Sequence, residues 1–261
     1  MDLGIEGRTA LVLGAGGGLG SAISARLAGE GAHVAACDLD EGALAQTTDA
    51  IGAAGGTALG LQWDLADHAV LEERVQAVES ALGPVDILVN ITGGPPPSEA
   101  HGQDAERWSA HFHSMVLSVI SLTDRVLPGM RERGWGRVLT STSSGFITPI
   151  PNLGLSNSLR SALVGWAKSV ATEVAADGVT CNVLVPGRIA TARIRFLDER
   201  RAEREGRTVE EVQQASTSAI PAQRYGDPAE YADVVAFLCS DRAGYVTGST
   251  VRVDGGLIPS V

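Results

Sequence analysis

The sequence predicts one doubly wound α/β domain built on a mostly or wholly parallel, seven-stranded sheet. Three observations carry that expectation. Short apolar or β-branched runs alternate with longer amphipathic segments along all 261 residues, which is the pattern of βαβ units. The first such run, residues 9–13, leads into a glycine-rich turn, Gly14-Ala15-Gly16-Gly17-Gly18-Leu19-Gly20, and then into the helix-forming stretch 21–27. Strand, glycine turn and helix start in that order make a cradle whose backbone N–H groups point at an anion. Finally, no composition break, internal repeat or low-complexity tract divides the chain, so residues 1–261 are expected to form a single domain.

Taken in order, the strands are expected at residues 9–13, 33–37, 57–62, 85–90, 137–141, 180–185 and 250–253. Helices are expected between them, two of them long, near 104–131 and 155–176. One segment departs from the alternation. Residues 190–224 are charged and helix-prone, and insertions of that size near the carboxyl ends of strands are usually lids or binding loops. Within it Arg193, Arg195, Arg200, Arg201, Arg204 and Arg207 interleave with Asp198, Glu199, Glu203 and Glu205. Mixed signs at helical spacing predict a solvated, salt-bridged face, with Arg193 and Arg195 placed to meet an anionic substrate group.

Composition narrows the function classes. The chain is 44% hydrophobic with 32 glycines and only 4% aromatics, which suits a closely packed core of Val, Leu, Ala and Ile. A formal net charge of −11 argues against nucleic acid and against anionic membranes as partners. No apolar stretch approaches a spanning helix, and the first residues do not read as a signal peptide. Cys37, Cys181 and Cys239 are odd in number and scattered in apolar runs, so they read as reduced core thiols of a cytoplasmic protein. They are neither a disulfide frame nor metal ligands.

The cofactor reading rests first on Asp38, 18 residues beyond Gly20 at the end of the second strand. A carboxylate there can accept both ribose hydroxyls of adenosine and repels a 2′-phosphate. Neither Gly17 nor Leu39 supplies a basic side chain to neutralise such a phosphate, so NAD(H) is favoured over NADP(H).

At this point the whole chain resembles the short-chain dehydrogenase/reductases. Gly14, Gly18 and Gly20 have that family's spacing, and Leu19 lies within the same turn. Asp64 and Leu65 match its adenine segment, and Asn90-Ile91-Thr92-Gly93 resembles its Asn-Asn-Ala-Gly segment. Pro186-Gly187-Arg188-Ile189-Ala190-Thr191 is similar to the segment that holds the nicotinamide amide through Ile backbone and Thr hydroxyl. The resemblance implies a Rossmann domain with strand order 3-2-1-4-5-6-7, and a homotetramer or dimer packed through the two long helices.

The family's chemistry uses Asn, Ser, Tyr and Lys, and here the resemblance breaks. Ser143 stands at the Ser position, 13 residues before Ser156. Ser156 occupies the Tyr position, Arg160 the Lys position and Met115 the Asn position. An aliphatic hydroxyl is a far weaker acid than a phenol, and an arginine stays protonated, so it cannot relay protons. Arg160 could still hold ribose hydroxyls or an anionic substrate group. His111, four residues before Met115 on the same helix face, is the candidate proton carrier, against the alternative of an exposed structural histidine. Three functions are then open. The first is an NAD(H)-binding oxidoreductase acting on a carbonyl or secondary alcohol with non-standard residues. The second is a lyase, isomerase or hydrolase on the same scaffold, and the third a non-catalytic NAD-binding subunit.

Overall fold

The computed structural model describes residues 2–260. Its sheet has the order β3-β2-β1-β4-β5-β6-β7 and is parallel throughout. The strands are β1 (Thr9–Leu13), β2 (His33–Asp38), β3 (Thr57–Gln62), β4 (Val85–Asn90), β5 (Gly136–Ser141), β6 (Val179–Pro186) and β7 (Thr250–Val253). The expected strands agree with these to within a residue at each end. The central strands are covered on both faces, which is why they read as unbroken apolar runs in place of alternating ones. In β1, Ala10 and Val12 enter one core layer and Leu11 and Leu13 the other, following the period-two alternation of strand side chains.

Helices α1 (Gly18–Gly29), α2 (Glu41–Ala53) and α9 (Pro228–Leu238) contribute to the first layer. Helices α3 (Leu71–Leu82), α5 (Ser118–Glu132) and α6 (Gly154–Val174) pack on the second. The first of the expected long helices is not one regular element. Helix α4 (Ala105–Phe112), capped by Asp104, passes through a π-helical turn at His113–Leu117 before α5 begins. The three cysteines are free and buried, and burial pushes the Cys37 and Cys181 thiols up to about 12. Among the described residues no helix is long and apolar enough to cross a membrane.

The insertion forms α7 (Ala192–Glu205) and α8 (Val209–Ser218). Its two ends are tied together: Gly226 N–H donates to the Arg188 carbonyl and Ala190 N–H to the Gly226 carbonyl, each at 2.9 Å. The strand order reverses between β1 and β4, so their carboxyl ends diverge and leave a crevice.

Candidate active site

That crevice is a cleft of about 770 Å³, within the range of small-molecule sites. Its floor is the glycine turn. Gly14 has φ +64°, a left-handed conformation that favours glycine, and a Cβ at Gly20 would run into the Gly14 carbonyl. A Cβ at Gly18 would lie 2.9 Å from the Thr191 methyl, so this glycine lets the turn and the Pro186–Thr191 segment close on each other. Gly17 caps α1 without a side-chain hydrogen bond, and the first turn of α1 holds no acid. The helix end therefore keeps its N–H groups and positive pole for an anion.

At one end of the cleft, the Asp38 carboxylate accepts from Gly16 N–H at 2.9 Å and from Asp40 N–H at 3.0 Å. These two bonds fix its orientation on the cleft wall, next to Leu39, Trp63, Asp64 and Leu65. At the other end, β5 and the residues just after it deliver Ser141 and Ser143, and the first two turns of α6 deliver Ser156 and Arg160. Gly93, Pro186, Gly187, Ile189 and Thr191 close that end, and His111, Ser114 and Met115 reach it from α4 and the π turn. Ser143 Oγ accepts from Gly145 N–H at 3.1 Å, which holds the hydroxyl at the start of a 3-10 turn. Ser156 is buried against the cleft wall.

The structure adds contacts to three residues that the sequence singled out. Asn90 does not line the cleft. It is 1% exposed and lies under the floor, its amide 3.5 Å from Thr140 Oγ1, while its Oδ1 has no hydrogen-bond partner. Arg160, expected to meet ribose or substrate, directs three of its five N–H groups at backbone carbonyls: Ser141 at 3.0 Å, Thr92 at 3.0 Å and Gly93 at 3.1 Å. It ties the end of β5 to the loop after β4. Burial pushes its guanidinium down to about 10, so it remains a cation at neutral pH. Asp198, expected on a solvated face, is 0% exposed and accepts from Arg188 Nη1 and the Tyr225 hydroxyl, both at 2.7 Å. Elsewhere on α7 Arg200 does pair with Glu203 and Arg201 with Glu205 on the surface.

Two further neighbours lie outside the site residues that the sequence predicts. Tyr231 is fully buried behind the site, its hydroxyl 2.8 Å from Ser141 Oγ, and burial raises its phenol above the ordinary value. Thr92 Oγ1 is buried without a partner, although the residue lines the cleft. No tyrosine and no lysine lines the cleft among the described residues. Lys168 instead donates to the Gly248 carbonyl.

The model of the family described as enoyl-(acyl carrier protein) reductase matches residues 14–258. The chain belongs to the short-chain dehydrogenase/reductase family. This short-chain dehydrogenase/reductase is 35% identical to nodulation protein G of Azospirillum brasilense over 254 residues, covering 96% of the chain and 98% of the relative. It is 34% identical to the 3-oxoacyl-[acyl-carrier-protein] reductase FabG of Escherichia coli (strain K12) over 258 residues, covering 98% and 99%. Among solved structures it is similar to L-sorbose reductase from Gluconobacter frateurii complexed with NADPH and L-sorbose. That likeness has a TM-score of 0.94 and 30% identity, over 100% of both chains.

The cleft fits a nicotinamide dinucleotide. The uncapped glycine cradle suits a pyrophosphate, the fixed Asp38 carboxylate suits a ribose diol, and the orphaned Thr92 hydroxyl offers a polar group part-way along. The close approach of Gly18 and Thr191 joins the glycine turn and the Pro186–Thr191 segment in one cleft.

Proposed function

We propose that this protein is an NAD(H)-dependent oxidoreductase that interconverts a small-molecule carbonyl and its secondary alcohol, using non-standard catalytic residues. The observation that carries the reading is the convergence of Ser143 and Ser156 with Gly93 and the Pro186–Thr191 segment at one end of the cleft, while Asp38 and the glycine turn occupy the other. The reductase relatives support the reaction class. NAD(H) is preferred because a 2′-phosphate would meet the Asp38 carboxylate, and neither Gly17 nor Leu39 can neutralise it.

Gly14, Gly18, Leu19 and Gly20 would hold the pyrophosphate through backbone, Asp38 the adenosine ribose, and Asp64 and Leu65 the adenine. Gly93, Pro186, Gly187, Ile189 and Thr191 would frame the nicotinamide. When bound, that cofactor supplies or takes the hydride. The Ser143 and Ser156 hydroxyls donate hydrogen bonds to the substrate oxygen and stabilise the negative charge that develops there. His111, or a water beside it, delivers the proton that completes the alcohol, the role of a positioned general acid. Arg160 positions the two walls through its carbonyl bonds. Helices α7 and α8 act as the lid. The protein works in the cytoplasm as a homo-oligomer; the 40% exposure of Phe112 on α4 supports packing against a partner copy.

The test is a screen of ketones and secondary alcohols with NADH or NAD+, followed at the nicotinamide absorbance. Parent protein should turn over at least one substrate. Ser143→Ala should lower kcat/KM about 100-fold, the size of one lost oxyanion donor. Demonstrable NADH binding with no turnover across the screen would overturn the reading. One observation favours a non-redox enzyme or a non-catalytic subunit, namely the lack of tyrosine and lysine among the cleft-lining residues. Product formed without any absorbance change would select the former.

A further inference from the structure

Charge is divided unevenly within the cleft. Its acidic residues, Asp38 and Asp64, both lie at the adenosine end. The opposite end holds Arg160 and Arg193, and among the described residues neither pairs with a carboxylate. Arg188, the third arginine there, is paired with Asp198.

Arg193 is held where an anion could reach it. Its Nη2 donates to the Pro95 carbonyl at 3.1 Å, and its guanidinium carbon lies 5.6 Å from the centre of the Phe196 ring. A Cβ at Gly94 would come within 3.0 Å of Nη2, so the glycine leaves room for the guanidinium to lie against the loop. Burial pushes that guanidinium below its ordinary value, and the charges of Arg160 and Arg193 act unfavourably on each other. Arg193 also stands in the first turn of α7, which has no acid, where a cation opposes the helix dipole. Three unfavourable placements of positive charge, in a chain of net charge −11, are all relieved by one bound anion. The neighbouring wall of Ile150, Leu153, Ile194 and Leu197 is apolar, which suits a short carbon chain between that anion and a reacting carbon.

We infer that the substrate is an oxo acid or hydroxy acid whose carboxylate is bound by Arg193. This rests on the oxidoreductase reading for the word substrate, but its test measures binding alone. The protein loaded with NADH is titrated calorimetrically with 2-, 3-, 4- and 5-oxo acids, each paired with its methyl ester. At least one acid should bind about tenfold more tightly than its ester, as a charge-assisted arginine–carboxylate pair implies. Arg193→Gln should remove that preference while NADH affinity stays within about twofold. Gly94→Ala, which intrudes on the guanidinium from the facing loop, should reduce the preference without altering α7. Equal affinities or no binding across the set would refute the inference, and so would a preference that survives in Arg193→Gln. A tenfold loss of NADH affinity in Arg193→Gln would also overturn it, by assigning the residue to the cofactor pyrophosphate. Because no hydride transfer is needed, failure of the reaction reading leaves this result legible.

Discussion

Asp198→Ala separates two physical descriptions of the insertion. On a solvated helix face an acid in an ion pair contributes about 0–1 kcal/mol. In the structure the Asp198 side chain is 1% exposed and that of Arg188 25%, and Tyr225 donates a second hydrogen bond to the same carboxylate. Burial, reinforced by that bond, raises the Tyr225 phenol above its ordinary value. Truncation would leave a mostly buried cation and a half-buried hydroxyl without their acceptor, and a hole where the carboxylate was. Removing one partner of a buried pair costs about 3–5 kcal/mol, and the partial exposure of Arg188 points to the lower figure. Urea denaturation should therefore show a loss of about 3 kcal/mol, and hydrogen exchange should accelerate in α7 and α8 first. Asp198→Asn, which can still accept one of the two bonds, should fall between. A loss below about 1 kcal/mol with unchanged exchange in α7 would refute the argument.

Further outcomes follow from the cradle and the core. Gly20→Ala places a methyl against the Gly14 carbonyl, and backbone cannot yield as a side chain can. NADH binding should be lost, with a stability decrease of about 1–3 kcal/mol by denaturation. Asp38→Ala removes the ribose acceptor, so fluorescence titration should show NADH binding about tenfold weaker and the gap between NADH and NADPH narrowed. Burial raises the thiols of Cys37 and Cys181 from 9.0 to about 12, and raises Cys239 as well. A folded-state value above the unfolded one gives stability that is complete below pH 9.0 and declines as pH climbs toward 12. Denaturation midpoints should accordingly fall above pH 9, and iodoacetamide should label the cysteines only as the protein unfolds.

The sheet was legible because its signal is local. Each central strand is a short apolar run bounded by turns, and within residues 14–20 the left-handed backbone of Gly14 and the close approach at Gly20 call for glycine. That Asp38, Ser143, Ser156 and His111 line one cleft was also legible, since Asp38 and Ser143 follow strand ends and Ser156 and His111 lie on helices at countable spacings. What escaped the sequence depends on contacts between distant segments. Asp198 has the same neighbours in sequence as the solvated acids around it, and only its approach to Arg188 and Tyr225 sets it apart. The carbonyl partners of Arg160 come from the end of β5 and the loop after β4, 19 and 67–68 residues away. The π turn at His113–Leu117 keeps helical periodicity in its apolar residues, so nothing in the pattern marks the added residue. The burial of Asn90 was not legible for a simpler reason, because the last residue of a buried strand can as well point away from the cleft as into it.

The paired backbone bonds at Arg188, Ala190 and Gly226 give the insertion a property of its own. Its entrance and exit are a single hydrogen-bonded neck, so the sheet fixes the neck and is indifferent to the length of chain beyond it. Changing that length alters closure entropy only slowly, by about 0.6 kcal/mol per doubling. The segment is in effect a cassette. It could be exchanged between family members to change what enters the cleft while β6, the glycine cradle and the core stay as they are.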